Sequence, residues 1–103
     1  MGNYRSKMDI VADILKVASQ QSKKTRIMYQ ANLSSRVFQK YLAEISDASL
    51  IFFNNETNYY TLTPKGKAFL EAYLNYSKTN KHAEKILGEV GAKRQALEKL
   101  FSQ

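Results

Sequence analysis

The chain has 103 residues, of which 44% are hydrophobic, enough for one small domain with a modest core. It contains no cysteine, so disulfides, thiolate zinc sites and thiol catalysis are excluded. Its formal net charge of +7 suits a nucleic acid or another anionic partner. No apolar segment approaches the roughly 18–20 residues that cross a bilayer, and the first residues, MGNYRSKMD, lack the apolar core of a signal peptide. We therefore expect a cytoplasmic protein without a membrane partner.

A first helix is predicted from about Lys7 to Ser19. Ser6 and Asp9 have the spacing of a capping box, in which a hydroxyl and a carboxylate satisfy the free N–H groups of the first turn. Behind this cap, apolar residues follow the i, i+3, i+4, i+7 spacing of an amphipathic helix: Val11, Ile14, Leu15 and Ala18.

Two further helices are predicted after a polar run. A short one spans about Thr25 to Gln30, and after a tight turn Ser34 is a favourable N-cap for a helix that continues to about Asp47. At 100° per residue, the apolar face of this third helix consists of Phe38, Tyr41, Leu42 and Ile45. The opposite face consists of Arg36, Gln39, Lys40 and Ala43.

A β-hairpin is predicted next. Two β-rich segments, Leu50–Phe53 and Tyr59–Leu62, flank a polar turn at residues 54–58. Alternation along the second segment points Tyr60 and Leu62 towards the core.

The last predicted helix begins at the Thr-Pro pair of residues 63–64, a hydroxyl N-cap followed by proline in the first helical position. Along it, residues recur with alternating spacings of four and three for more than four heptads, which is typical of a coiled-coil seam. Polar Thr79-Asn80 and the glycines Gly88 and Gly91, at about 1 kcal/mol each, oppose a continuous helix. The predicted seam, and with it the predicted dimer interface, consists of Phe69, Tyr73, Tyr76, Asn80, Ala83, Leu87, Val90, Arg94, Leu97 and Phe101.

This order of elements predicts a winged helix-turn-helix, a mostly α fold with a small β-hairpin, followed by a long C-terminal coiled-coil helix. We expect residues 1–63 to form a DNA-binding domain and residues 64–103 to form a dimerisation helix.

The segment from Ile14 to Ala43 holds six lysines and arginines but none of the nine acids. A carboxylate on this surface would repel phosphate, so the pattern indicates a third helix lying in the major groove of double-stranded DNA. Arg36 and Gln39 can reach base edges, whereas Ser35 and Lys40 suit phosphates. The predicted DNA contacts are Lys23, Lys24, Arg26, Ser35, Arg36, Gln39, Lys40, and Asn55, Thr57 and Asn58 in the wing.

Other interpretations stay open. The acid-free segment is also compatible with a solvated face, and the wing residues with turn formation alone. Winged helices also serve as protein–protein interaction modules of the transcription machinery, although a basic third helix favours DNA. No Gly-rich phosphate loop, nucleophile–base pair or metal-ligand spacing is present, and the single histidine, His82, falls in the predicted coil. We expect no enzyme, no cofactor, no metal and no small-molecule substrate.

The segments KKTRIMYQANLS and YYTLTPKGKAFL carry a family resemblance. With them the chain resembles, over nearly its whole length, the small archaeal winged-helix proteins of the Sulfolobus ten-a nucleoid protein family and their relatives. TRIMYxANLS is the distinctive part, whereas the pattern YxLTxKG is shared by many winged helices. The resemblance implies a nucleoid-associated, dimeric DNA-binding protein whose final helices pair as an antiparallel coiled coil. It does not separate a nucleoid protein from a gene-specific transcriptional regulator.

Overall fold

The computed structural model describes residues 5–102. Its elements are α1 (Lys7–Ala18), α2 (Lys24–Gln30), α3 (Ser35–Asp47), β1 (Ile51–Asn54), β2 (Tyr59–Leu62) and α4 (Pro64–Ser102). This is the predicted order, and it confirms a mostly helical fold with one two-stranded antiparallel sheet. The chain divides into two units, the first ending at Tyr73 and the second beginning at Leu74.

Side-chain caps fix where three of the helices begin. At α1 the Ser6 hydroxyl accepts from the Asp9 N–H at 3.2 Å, and the Asp9 carboxylate accepts from the Ser6 N–H at 2.9 Å, which confirms the predicted capping box. Ser34 caps α3 by accepting a backbone N–H one turn on, at 3.3 Å. Thr63 caps α4 in the same way at 3.0 Å, with Pro64 in the first helical position.

The core of the first unit lies among α1, α2, α3 and β1. Its buried side chains are Val11, Ile14, Leu15, Val17, Ala18, Ile27, Ala31, Phe38, Leu42, Ile45, Leu50 and Ile51. Tyr60 and Leu62 from the hairpin pack against it, as predicted, and so do Phe69 and Leu70 from the first turns of α4. Because α4 supplies part of this packing, the first unit includes the helix as far as Tyr73.

A third chain segment joins the hairpin. β1 and β2 pair along all four residues, and Ser22 forms an additional bridge to Tyr60. The Ser22 N–H donates to the Tyr60 carbonyl at 3.2 Å, and the Tyr60 N–H donates to the Ser22 carbonyl at 2.8 Å. The buried Ser22 hydroxyl donates to the Val17 carbonyl at 3.0 Å. The polar run that the sequence marked only as the end of α1 therefore attaches the start of α2 to the wing.

The start of α4 is fitted closely to the α3–β1 turn. Thr63 donates from its hydroxyl to the Ser49 carbonyl at 2.6 Å, and the Lys65 ammonium donates to the Ala48 carbonyl at 2.7 Å. At Gly66 a Cβ atom would lie 2.0 Å from the Leu50 carbonyl oxygen, so no larger residue fits there without a backbone shift. The widespread pattern LTxKG thus has a packing role in this chain.

The second unit, from Leu74 on, is helical through Ser102. Neither Thr79-Asn80 nor the two glycines interrupts it, and the Thr79 hydroxyl donates to the Asn75 carbonyl within the helix at 3.0 Å. At a rise of 1.5 Å per residue this unit is about 44 Å long. Within residues 5–102, no helix is sufficiently long and apolar to span a bilayer.

Candidate nucleic-acid interface

The helix α3 turns a polar face outward because its apolar face is fixed in the core. Phe38, Leu42 and Ile45 are buried, and Tyr41 is half-buried. The polar face, which is exposed, consists of Ser35, Arg36, Gln39, Lys40 and Ala43. The predicted rotation of α3 about its axis is therefore confirmed, and its basic residues are free to meet a ligand.

The helix α2 presents the other basic residues of the acid-free segment. It buries only Ile27, and Lys24 and Arg26 are exposed on it, with Lys23 exposed at its N-cap. The ammonium of Lys23 lies 5.8 Å from the centroid of the Tyr59 ring on β2. This contact brings the cation at the start of α2 beside the wing.

The turn between α2 and α3 is held by Arg5, a residue without a predicted role. Its guanidinium donates to the carbonyls of Ala31 at 2.7 Å and Asn32 at 3.0 Å, and to the Asp13 carboxylate at 3.0 Å. Asn32 adopts a left-handed conformation with φ of 55°, which asparagine tolerates better than most residues. The guanidinium therefore caps the C-terminal end of α2 and ties the helix-turn-helix to α1.

Three carboxylates near the first helices have partners, and none of these partners lies on the exposed face of α3. Lys7 pairs with Glu44 at 2.8 Å, and this contact raises the pKa of Lys7 and lowers that of Glu44. Asp13 pairs with Arg5 and more loosely, at 3.9 Å, with Lys16. The pKa of Asp9 is lowered chiefly by the hydrogen bond from the Tyr73 hydroxyl.

The exposed cations of α2 and α3 lie outside the ion pairs of the described residues. Among residues 5–102, the ion pairs are these three, and they include none of the predicted DNA-contacting cations, which are Lys23, Lys24, Arg26, Arg36 and Lys40. A polyanion approaching α2 and α3 would therefore meet cations that form no ion pair within the described residues.

The wing loop is built by its own polar side chains. The Asn54 side-chain oxygen accepts from the N–H groups of Glu56 at 2.9 Å and Thr57 at 3.3 Å, and the Thr57 hydroxyl accepts from the Tyr59 N–H at 3.3 Å. Asn58 has a φ of 61°. These residues form the turn, and Asn55, Thr57 and Asn58 are also exposed, so their contact with DNA remains a prediction.

Tyr29 and Phe52 are exposed aromatic residues without a predicted role. Tyr29 is 82% exposed on α2, where it lines a shallow concavity with Lys23, Thr25, Arg26 and Gln30. Phe52 is exposed on β1, and so is the next residue, Phe53. Helical phase could have identified Tyr29, since it lies 200° around α2 from the buried Ile27.

The predicted coiled-coil residues fall into two groups. Phe69 packs against the core of the first unit, and the Tyr73 hydroxyl donates to the Asp9 carboxylate. The others, which are exposed along the second unit, are Tyr76, Asn80, Ala83, Leu87, Val90, Arg94, Leu97 and Phe101. The apolar stripe left exposed in the single chain therefore starts at Tyr76.

Both the sequence and the fold of this chain are similar to those of known proteins. Residues 4–81 match the family model described as winged helix-turn-helix. The chain belongs to the winged helix-turn-helix family. It is 43% identical over 68 residues to an uncharacterized protein of Methanocaldococcus jannaschii, a match that covers 65% of this chain. The chain spans about a third, 31%, of that relative's length.

Two solved structures share the fold. Sso10a-2, a DNA-binding protein from Sulfolobus solfataricus, superposes with a TM-score of 0.65 at 26% identity, over 84% of this chain and 96% of its own. ZitR of Lactococcus lactis, in complex with DNA, superposes with a TM-score of 0.60 over 99% of this chain and 74% of its own. At 16% identity the second similarity concerns the fold alone. The first confirms the resemblance to archaeal winged-helix proteins.

Within residues 5–102, no group of three histidine, aspartate or glutamate side chains is arranged to hold a metal ion.

Proposed function

We propose that the chain binds double-stranded DNA as a homodimer, with α3 in the major groove and the wing beside it. The observation that carries this proposal is the exposed face of α3, which presents Arg36 and Lys40 opposite the buried Phe38, with Gln39 exposed beside them. Arg36 and Gln39 match the edges of guanine and adenine, because their side chains can form two hydrogen bonds to one base.

Phosphates supply most of the proposed affinity. Lys23, Lys24, Arg26 and Lys40 are exposed and unpaired with any described carboxylate, and Ser35 offers a hydroxyl in the first turn of α3. The α3 N-terminus also favours an anion because the helix dipole is positive at that end. The wing residues Asn55, Thr57 and Asn58 would add contacts to the flanking backbone.

The similarity to Sso10a-2 supports the choice of DNA, because that protein is described as DNA-binding. We propose that the protein acts on DNA in the cytoplasm, either as a nucleoid-associated protein or as a transcriptional regulator. Footprinting on long DNA separates these roles: one protected site indicates a regulator, whereas diffuse protection indicates DNA architecture.

A mobility-shift titration on random-sequence DNA at several salt concentrations tests DNA binding. With about four to six phosphate contacts per monomer, log K should fall by about 0.9 per contact for each tenfold rise in salt. For five contacts this is a loss of about 500-fold between 50 and 200 mM salt. No shift at the lowest salt would contradict the proposal and favour a protein-interaction module.

Dimerisation is proposed for the second unit. Large side chains there, such as Leu87 and Phe101, are 70% and 93% exposed in the single chain, and stripes of this kind are rarely left in water. Pairing with a second copy covers the stripe, and we propose the antiparallel arrangement that the resemblance implies.

Replacing both Leu87 and Val90 with glutamate should give monomers that bind DNA far more weakly, because two buried carboxylates in the seam oppose pairing. Light scattering should report about twice the 11.8 kDa chain mass for the wild type and the chain mass for the variant. The matched control replaces Lys85 and Glu89, which lie outside the seam and its flanking positions, with glutamine and should remain dimeric. A monomeric wild type at tens of micromolar would contradict the dimer.

A further inference from the structure

The second unit carries enough pattern to specify how two copies pair. Its seam positions alternate every four and three residues from Tyr76 to Phe101, and all of them are exposed in the single chain. Ile86 and Leu100, also exposed, widen the apolar stripe on one side. On the other side of the seam the flanking positions are polar, charged or glycine, Gly91 among them. The stripe is therefore asymmetric.

Arg94 favours an antiparallel pair of helices over a parallel pair. In a parallel, in-register pair each seam residue faces its own copy, so two Arg94 guanidiniums would be desolvated against one another. In an antiparallel pair the two kinds of seam position face each other, and Arg94 can lie opposite Ala83. The small Ala83 side chain leaves room for the long arginine stem, and the neighbouring Glu84 offers an opposite charge.

Antiparallel registers that keep the seam closed differ by seven residues, and two of the neighbouring registers are unfavourable. One would place Phe69 and Tyr73 in the interface, although they pack within the first unit, and it would set Glu84 against Glu84 of the second copy. The shift in the other direction shortens the overlap to residues 82–102 and sets Glu84 against Glu98 and Lys93 against Lys93.

The register between these two avoids both problems. It overlaps residues 75–102, which begin immediately after the first unit ends, and so uses the whole exposed stripe. Its flanking positions set Ile86 beside the aliphatic stem of Lys93 and Glu84 beside Gly91, without a like-charged pair.

We propose that residues 75–102 pair with a second copy in this one antiparallel register, an inference that rests on the dimer of the proposed function. The facing seam pairs, one residue from each copy, are Tyr76 with Phe101, Asn80 with Leu97, Ala83 with Arg94, and Leu87 with Val90.

Disulfide trapping tests the register cleanly because the natural chain has no cysteine. Chains carrying Asn80→Cys and chains carrying Leu97→Cys are unfolded together, refolded and oxidised, with a size tag on one of them. The two sites leave Ala83 and Arg94 intact. In the proposed register the two thiols face each other, whereas two copies of the same variant hold their thiols about 25 Å apart along the helix axis. A disulfide cannot bridge more than about 7 Å between Cα atoms.

The expected result is a shift of the mixed dimers to a covalent product carrying one chain of each size, with no crosslinking in either variant alone. Crosslinking of Asn80→Cys alone would indicate a parallel pair, and crosslinking of Asn80→Cys with Val90→Cys would indicate the register seven residues away. Either result overturns the proposed register while the dimer stands. Light scattering that reports only monomers overturns the dimer itself, so the two failures are distinguishable.

Discussion

The fit of α4 against the α3–β1 turn makes a quantitative prediction for Gly66→Ala. The added Cβ would lie 2.0 Å from the Leu50 carbonyl oxygen, which also accepts the Thr63 N–H at 3.2 Å. Because carbon and oxygen rarely approach within 3.0 Å, the carbonyl must move by about 1 Å, and that hydrogen bond is weakened.

The sign of the effect follows from three contributions. Overpacking of this kind costs about 1–3 kcal/mol, and a weakened backbone hydrogen bond costs about 1 kcal/mol. Replacing glycine by alanine within a helix recovers up to about 1 kcal/mol. We therefore expect Gly66→Ala to lower the free energy of unfolding by about 2 kcal/mol, and Tm by about 10 °C.

Gly88→Ala is the matched control, since it makes the same change in the same helix. A Cβ at Gly88 has no neighbour within 4 Å, so helix propensity alone should act and helicity should rise. Urea unfolding followed by circular dichroism measures both variants at equal concentration. If Gly66→Ala proves as stable as the wild type, the close approach of Gly66 to Leu50 does not govern this part of the fold.

Three further predictions follow from the described contacts. Arg36→Ala and Lys40→Ala should each weaken DNA binding without lowering stability. Lys40→Ala should also reduce the slope of log K against log salt by the amount of about one phosphate contact. Unfolding of either variant would contradict the assigned rotation of α3 about its axis. Arg5→Ala should lower the free energy of unfolding by about 2 kcal/mol in urea titrations, since three partly exposed hydrogen bonds are lost, whereas an unchanged midpoint would show that Arg5 does not hold the turn. The pKa of Asp9 is lowered in the folded chain, chiefly by Tyr73, so its stabilisation is present above the unfolded value of 3.8 and is lost as pH falls below it. Asp9→Asn should therefore flatten the acid limb of a stability–pH curve, and an equally steep limb would refute this assignment.

The cations of the first unit fall into two groups. Arg5, Lys7 and Lys65 are cations like Arg36 and Lys40, yet their side chains donate within the fold, to carbonyls or a carboxylate. The cations that we propose for DNA contact form no ion pair within residues 5–102. Mutating a cation at random in this protein would therefore confuse loss of stability with loss of binding.

Features that depend on residues close together in the chain could be predicted from the sequence. A capping hydroxyl and the helix that it starts are one turn apart, so Ser6, Ser34 and Thr63 could be recognised without any tertiary contact. The outward face of α3 followed in the same way, because the apolar residues of one helix must share the side that is buried.

Contacts between residues that are distant in the chain could be seen only in the folded structure. Ser22 forms a bridge to Tyr60 and Arg5 donates to the Ala31 carbonyl, so each residue joins segments that are far apart in the chain. Nothing in the local sequence distinguishes Ser22 or Arg5 from solvated polar residues. The closeness of Gly66 to the α3–β1 turn was equally hidden. Local pattern fixes which residues are buried, whereas the partner of a polar group depends on which elements the folded core brings together.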